Sequence, residues 1–272
     1  MTISNSKSCF LQTPNRLEIG NVTIGQNVRI NVSEYLKLGD RTVINDNVLI
    51  EGRHIEIGAE AWIDEYAHIG GGSCFDWQSS LKVGDFLHMG KFSHINTART
   101  VTIGDECGIG IGTKIFSHGT YLSAYDGFPI KFANVTIGDR VWLPNAWVNP
   151  GVTIENDVVV AAMSLVNNDL PSGCLAGGIP AKVLKNSVYP RELSDGEKKE
   201  LVSTISKDVK MTLFLDGSKI QLNHDTVLTV FDLEKRSIMG IANKETETLK
   251  NQLRRYGIRF KYYAKDGVYV PW

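Results

Sequence analysis

The sequence has few cysteines, no long apolar segment and no excess of charge of one sign. Its four cysteines lie far apart, without CxxC spacing, which argues against a zinc knuckle or a dense disulfide framework. The formal net charge of -1 does not predict a nucleic-acid-binding surface. Free thiols are expected at Cys9, Cys74, Cys107 and Cys174.

A membrane-spanning segment is also missing from the sequence. No window approaches the roughly 20 apolar residues that a membrane-spanning helix needs. The opening residues, MTISNSKSCF, contain no basic segment followed by an apolar one, so no signal peptide is predicted. We therefore expect a cytoplasmic protein without a membrane span.

The strongest pattern in the sequence is a six-residue repeat. Each repeat begins with an aliphatic residue, often followed by glycine, and has a mostly small or branched residue at its fifth position. Both of these can point inward along a short strand, whereas glycine, asparagine and aspartate provide the corners between strands. The repeats begin at Ile24, Leu38, Ile44, Ile57, Ile63, Ile69, Val83, Met89, Ile103, Ile109, Ile137, Leu143, Val148, Ile154 and Val160.

Three such strands close one coil of a parallel β-helix, and about six coils are predicted from the repeats. Ile44, Ile63, Val83 and Ile103 lie 19 or 20 residues apart and are predicted to be equivalent. Each coil buries its faces only against its neighbours, so several repeats are needed for stability. The alternative is a β-sandwich, which requires turns every 8 to 12 residues and an alternation with period two.

The hexads resemble those of the hexapeptide-repeat transferases, and residues 135–185 resemble the closing signature of sugar, galactoside and maltose O-acetyltransferases. The resemblance covers roughly residues 17–186. It implies a mainly β fold, a left-handed parallel β-helix that assembles as a homotrimer with active sites between subunits. It also implies an acyltransferase that moves acetyl from acetyl-CoA to a sugar and uses no metal.

A long interruption of the repeat, residues 117–134, is the predicted site of catalysis, because loops of this length in a regular solenoid are usually functional. In the resembled enzymes the catalytic histidine begins such a loop. His118 occupies that position, 24 residues before Trp142. A neutral imidazole can accept the proton of a hydroxyl whose oxygen attacks a thioester. His118 is therefore the predicted general base of a direct transfer.

The resemblance also assigns residues to acetyl-CoA, which would lie along the outside of the last coils. Ala162 and Asn167 match the stretch whose backbone contacts the pantetheine arm. Lys182 and Lys185 match the positions near the nucleotide phosphates, and Trp142 would flank the thiol end. Surface lysines after a repeat are also often simply solvated.

One hexad departs from the family pattern. Where the family usually has Trp-Ile-Gly, this chain has Trp142-Leu143-Pro144, and the hexad is one residue short before Val148. A bulge or displaced corner is therefore expected beside the cofactor groove. Trp147 could fill space there that a smaller residue would leave open.

The acceptor side of the site is less well defined by the sequence. Asn96 follows a strand at a corner where the galactoside and maltose enzymes have a sugar-binding asparagine, although an asparagine can also simply form the turn. Tyr121, Tyr125 and Asp126 lie on the loop of His118. They could stack on or hydrogen-bond a sugar, or could hold the loop in place. The expected acceptor is a sugar of a cell-surface polysaccharide or its precursor.

The sequence is also compatible with three other functions. The same base could serve an N-acetyltransferase of a nucleotide-linked amino sugar. His68 and His88 could stack one coil apart, with His94 in the next hexad, as a zinc site like that of the β-helix carbonic anhydrases. The step of six residues from His88 to His94 is longer than that family's histidine spacing. The third alternative is a non-catalytic β-helix scaffold.

The hexads end before the C-terminus, so residues 1–186 are predicted to form the β-helix and residues 187–272 a small α+β domain of unknown role. Ser194 and Glu197 predict a capping box at the start of a helix. The remaining elements are predicted as strands at 210–215, 219–222, 226–232 and 236–241, a helix near 244–256, and a hairpin of 257–263 and 267–271.

Overall fold

The computed structural model describes residues 10–12, 14–224 and 227–272. The chain divides at Pro190 and Arg191 into two compact units, so the repeat unit extends slightly beyond residue 186. Cys9, for which a free thiol is expected, lies outside the described residues. Neither helix in the described ranges has the length and apolar character needed to cross a membrane.

The repeat unit is a left-handed parallel β-helix of about eight turns, which confirms the predicted fold class. It has more turns than predicted because strands without regular hexads add a turn at each end. Its strands form three faces, and two longer strands, Arg29–Leu38 and Leu49–Ile57, bend around the corner between the first and second faces.

The other strands of the first face are Phe10–Gln12, His68–Ile69, His94–Ile95, Lys114–Ile115, Trp147–Val148 and Leu165–Val166. Those of the second face are Arg16–Ile19, Ser80–Val83, Val101–Ile103, Val135–Ile137 and Thr153–Ile154. The third face contains Thr23–Ile24, Val43–Ile44, Trp62–Ile63, His88–Met89, Gly108–Ile109, Trp142–Leu143, Val159–Val160, Leu175–Gly178 and Ala181–Lys185.

Columns of inward aliphatic side chains form the core. On the third face Ile24 pairs in register with Ile44, and Ile44 with Ile63. The column continues through Met89 to Ile109, and all of these side chains are buried. Complete burial of one such side chain contributes about 1.5–3 kcal/mol. The turns therefore stabilise one another through contacts repeated in register.

The predicted equivalence of Ile63 and Val83 is wrong. Ile63 pairs with Met89 on the third face, whereas Val83 pairs with Ile103 on the second face. The register changes because residues 71–79 form a loop of turns in a place where the sequence pattern suggested another hexad. This loop lies at the same corner as His118, two turns earlier.

The corners explain why the hexads contain glycine and aspartate. One residue per corner usually has a left-handed backbone, such as Arg41 and Glu106, both with φ of 59°. Asp139 Oδ1 accepts a hydrogen bond from the backbone N of Asp105 at 2.8 Å, and Asp105 Oδ1 accepts one from Asp85 N at 2.8 Å. This ladder of carboxylates lies directly against the glycines of the preceding turn, which have no room for a Cβ.

The three cysteines in the described ranges, Cys74, Cys107 and Cys174, are buried free thiols. Cys107 occupies an inward position in the β-helix, and burial raises the pKa of its thiol to about 11. The thiol therefore stays protonated at neutral pH and does not act as a nucleophile.

The second unit is a small α+β domain that contains the predicted helices and strands, but two of the strands begin later than predicted, at Phe214 and at Tyr262. Helix α1 spans Asp195–Val209 and helix α2 spans Lys244–Arg255. Ser194 and Glu197 form the predicted capping box of α1. Thr226, predicted to begin a strand, lies outside the described residues. One antiparallel sheet contains Phe214–Asp216, Lys219–His224, Val227–Asp232 and Ser237–Met239, and Tyr262–Lys265 pairs with Val268–Pro271 in a hairpin.

The corner glycines provide a test of the fold. A Cβ on Gly104 would overlap the Asp139 carboxylate and lie 2.8 Å from the Asp139 backbone N. We expect Gly104→Ala to lower the free energy of unfolding by about 1–3 kcal/mol, measured by denaturant titration. Gly119→Ala is the matched control, because a Cβ on Gly119 meets nothing within 4 Å. Equal stability of the two variants would contradict the proposed role of the ladder.

Candidate active site

His118 stands where the long loop leaves the β-helix. Soon after the strand Lys114–Ile115, the pair His118–Gly119 forms an antiparallel ladder with Lys131–Phe132 across the base of the loop. The imidazole stacks on the ring of Phe132, with centroids 5.4 Å apart and an interplanar angle of 26°. This packing restricts the orientation of the His118 ring.

Asn96 holds the inner side of the His118 ring. Asn96 lies one turn earlier at the same corner and is 1% exposed. Its Nδ2 donates to the carbonyl oxygens of Gly70 and Gly72 at 3.2 and 3.0 Å, which turns Oδ1 toward Nδ1 of His118 at 2.8 Å. Because an amide oxygen only accepts, Nδ1 carries the proton and Nε2 keeps its lone pair.

The burial of Asn96 does not fit the predicted contact with a sugar. Its amide is already bonded to His118 and to two carbonyl oxygens, and Oδ1 also accepts from Ser117 Oγ at 3.0 Å. Asn96 Oδ1 accepts a further bond from the backbone N of Ala98 at 3.3 Å. These contacts indicate that the Asn96 side chain orients the His118 ring.

The loop of residues 71–79, which was not expected from the sequence, reaches the same corner. A Cβ placed on Gly72 would lie 3.2 Å from Nε2 of His118, so this backbone borders the free lone pair. Asp76 of the same loop forms an ion pair of 3.3 Å with Arg99. The loop therefore places the backbone of Gly72 and the carboxylate of Asp76 near the candidate base.

The surroundings of His118 favour its neutral form. Burial lowers the pKa of His118 below its ordinary value of 6.5. The carboxylate of Asp76 acts in the opposite direction and raises the pKa, and the guanidinium of Arg99 lowers it. Because the net pKa shift is downward, the imidazole is unprotonated at neutral pH, as a general base must be.

A mainly apolar groove of about 340 Å³ crosses the last turns. Ala162 is exposed and directly precedes a residue of its wall. Trp142 and Asn167 are also exposed, but neither lines this groove; Trp142 lies on the third face and Asn167 at a corner after the first face. The sequence did not predict most of the lining residues, which are Asn145, Trp147, Met163, Ser164, Leu165 and Ile179.

The two predicted phosphate ligands, Lys182 and Lys185, are exposed on the strand Ala181–Lys185. They pair with Gly177 and Leu175, and the register shifts between those partners. Gly177 and Leu175 are two residues apart, so they lie on one face of their strand. Lys182 and Lys185 are three residues apart, and the bulge between them brings both to the corresponding face of their own strand. This strand follows Ile179 of the apolar groove.

The short hexad forms a displaced corner, as predicted. Leu143 and Val148 are both completely buried, and Ala146 fills the inward position between them. Asn145 takes the left-handed backbone of the corner, with φ of 51°. The hexad is thus shortened at its corner, and the buried core positions are kept. Trp147 lies outside and forms a wall of the groove.

The predicted sugar ligands of the long loop are exposed. Tyr121 is 97% exposed and Tyr125 is 100% exposed. Asp126 ends a short 3-10 helix, Ala124–Asp126, and is also exposed. Within the chain these side chains are free to meet a ligand, and their role as acceptor contacts stays a prediction.

The histidines considered for a zinc site lie on two faces. His68 stacks on His94 of the next turn, with centroids 4.6 Å apart, so the expected stacking of His68 on His88 is wrong. His88 lies on the third face, 3.2 Å from Asp64. No group of three or more His, Cys, Asp or Glu side chains in the described ranges is arranged to hold a metal ion.

No protein-family model matches the chain. The chain is 28% identical to the galactoside O-acetyltransferase of Escherichia coli (strain K12) over 153 residues, covering 55% of this chain and 70% of that enzyme. It is 29% identical over 155 residues to the putative lipopolysaccharide biosynthesis O-acetyl transferase WbbJ of the same strain, covering 55% of this chain and 77% of WbbJ. A solved structure of galactoside acetyltransferase in complex with coenzyme A aligns with 52% of this chain and 70% of that one, at 23% identity and a TM-score of 0.43.

The two curated relatives carry the names of O-acetyltransferases, which confirms the predicted relationship and the predicted class of enzyme. The observed β-helix of stacked hexads agrees with that relationship. The repeat domain of this chain is therefore similar in sequence to these O-acetyltransferases.

Proposed function

We propose that the chain is an acetyl-CoA-dependent O-acetyltransferase of a sugar in a cell-surface polysaccharide or its precursor. The observation that supports this most is the 2.8 Å contact from Nδ1 of His118 to Oδ1 of Asn96, which leaves Nε2 available as a base. The galactoside and lipopolysaccharide biosynthesis enzymes among the relatives support a sugar acceptor.

His118 is the residue that moves the proton. Nε2 accepts the hydroxyl proton while the sugar oxygen bonds to the thioester carbonyl carbon of acetyl-CoA, which supplies the activated acetyl group. The carbon–sulfur bond then breaks, and His118 returns the proton to the departing sulfur. Asn96 Oδ1 stabilises the transient imidazolium through Nδ1. The transfer needs no acyl-enzyme.

Acetyl-CoA fits the last turns of the β-helix. The apolar groove, bordered by Ala162, suits the pantetheine arm, because such sites combine an apolar lining with a few polar groups. Lys182 and Lys185 on their common strand face suit the phosphates. Trp142 and Asn167 are placed on neighbouring surfaces of the same turns and are proposed as outer contacts.

The acceptor would approach from the side of the long loop, where Tyr121 and Asp126 are exposed. Aromatic faces and carboxylates are common sugar contacts. The homotrimer with active sites between subunits, and the cytoplasmic location, stay predictions from the sequence. In such a trimer the exposed loop residues would be available to a neighbouring subunit or to the acceptor.

Replacement of His118 tests the mechanism. Because general-base catalysis contributes about 10²–10⁴-fold, we expect His118→Ala to lower kcat/KM for acetyl transfer to a hydroxyl sugar by that range. The rate is measured as thiol release from acetyl-CoA across a panel of hydroxyl and amino sugars. His88→Ala is the control, because His88 is an exposed histidine on another face.

Unchanged transfer by His118→Ala would eliminate His118 as the base. An amino sugar presents a free amine and needs less help from a base. If an amino sugar were the best acceptor and the loss were small, the N-acetyltransferase alternative would replace the present proposal.

The pH dependence of kcat/KM tests the charge environment of the base. The rate should fall as the pH drops through the pKa of His118, which lies below 6.5 because of burial. Asp76 raises this pKa, so Asp76→Asn should move the acidic limb to lower pH. Asp157→Asn, which removes the partner of Arg140 at a distant corner, should leave the limb in place. A shift to higher pH in Asp76→Asn would contradict the assignment.

A further inference from the structure

A cleft of about 560 Å³ opens beside His118 and differs in character from the apolar groove. Phe132 is part of its wall, and the ring of Phe132 stacks on the His118 imidazole. Arg99, another wall residue, lies over the same ring with its guanidinium carbon 4.4 Å from the centroid. A molecule in this cleft is therefore close to the candidate base.

The charge of the cleft wall is positive. The residues that line it include Arg53 and Arg99 but no aspartate or glutamate. The side chains of the two arginines are 28% and 21% exposed, so their donors are partly withdrawn from water. Charge-assisted hydrogen bonds in such surroundings are stronger than neutral ones.

Both arginines are held in place by carboxylates that lie outside the cleft wall, and Arg99 is also held by a backbone carbonyl. Arg53 Nε donates to Glu34 at 2.5 Å, and Arg99 Nη1 donates to the carbonyl oxygen of Ala98 at 2.6 Å. Asp76 pairs with Arg99 at 3.3 Å. Glu34 and Asp76 offset part of the positive charge, but neither lines the cleft. A guanidinium has five N–H donors, and these contacts leave donors on each arginine for a ligand.

The cleft also has the features of a sugar site. Trp77 lines it with 76% of its surface exposed, and its carbonyl oxygen accepts a hydrogen bond from Arg53. An exposed indole presents a flat apolar face to the carbon–hydrogen face of a sugar ring. The amides of Gln78 and Asn134 in the same wall are suited to hydroxyl groups.

Building on the proposed function, we infer that this cleft binds an acceptor sugar that bears a carboxylate or a phosphate. The anionic group pairs with Arg53 and Arg99, and the ring stacks on Trp77. A hydroxyl of the same sugar then reaches Nε2 of His118 around Phe132. The wall thus selects anionic sugars over neutral ones of the same size.

Binding to the full chain without acetyl-CoA tests this inference separately from catalysis. The probes are methyl β-D-glucuronide, glucose 1-phosphate and neutral methyl β-D-glucoside, with dissociation constants measured by ligand-observed NMR. At least one anionic sugar should bind about 10-fold or more tightly than the neutral one, since a charged hydrogen bond contributes on the order of that factor. The tighter anionic probe identifies carboxylate or phosphate as the preferred group.

Arg53→Gln should remove most of the anionic preference, and Arg53→Lys should restore part of it because the charge returns. Arg140→Gln is the control, because Arg140 pairs with Asp157 at another corner. Equal affinity for all three probes, or equal effects of Arg53→Gln and Arg140→Gln, would overturn the inference. His118→Ala should keep the preference. If that variant also kept full transferase activity, the proposed mechanism would fail while the anionic site would stand.

Discussion

The contact on which the rest of the repeat domain depends is the stacking of each inward aliphatic side chain on its equivalent in the next turn. It holds only if every corner has the same shape. Left-handed corner residues and the ladder of aspartates provide that shape, and the glycines leave room for the carboxylates. A regular stack then tolerates loops, because a loop that leaves and re-enters at one corner does not disturb the columns.

The candidate site is formed by loops of this kind. Two loops, residues 71–79 and 117–134, leave the helix at the same corner two turns apart. Asn96 lies between them, bonded to the backbone of one loop and to His118 of the other. The rigid stack therefore fixes the tautomer of the base, whereas the loops supply the charge and the aromatic groups around it.

Much of the fold was predictable, because aliphatic residues that recur every six positions in the sequence mark the buried positions of the β-helix. The location of His118 at the start of a long loop was predictable from the interrupted repeat, and its role as the base stays a prediction. The second loop was missed because Ile69 and the glycines after it fit the hexad pattern, although the aromatic and polar residues that follow do not. Asn96 lies beneath the base because both residues occupy the same corner of the β-helix. That corner could not be assigned from the sequence, because the unexpected loop changes the register of the turns.

Neutral His118 is expected to carry its proton on Nδ1 and to offer Nε2 to the acceptor. Nitrogen-15 NMR of the histidine side chains, with His118 assigned by comparison with His118→Ala, measures this directly. At neutral pH we expect a neutral ring with the proton on Nδ1, bonded to Asn96. A proton on Nε2, or a doubly protonated ring, would contradict the account, because neither form can accept a proton from a sugar hydroxyl at that atom.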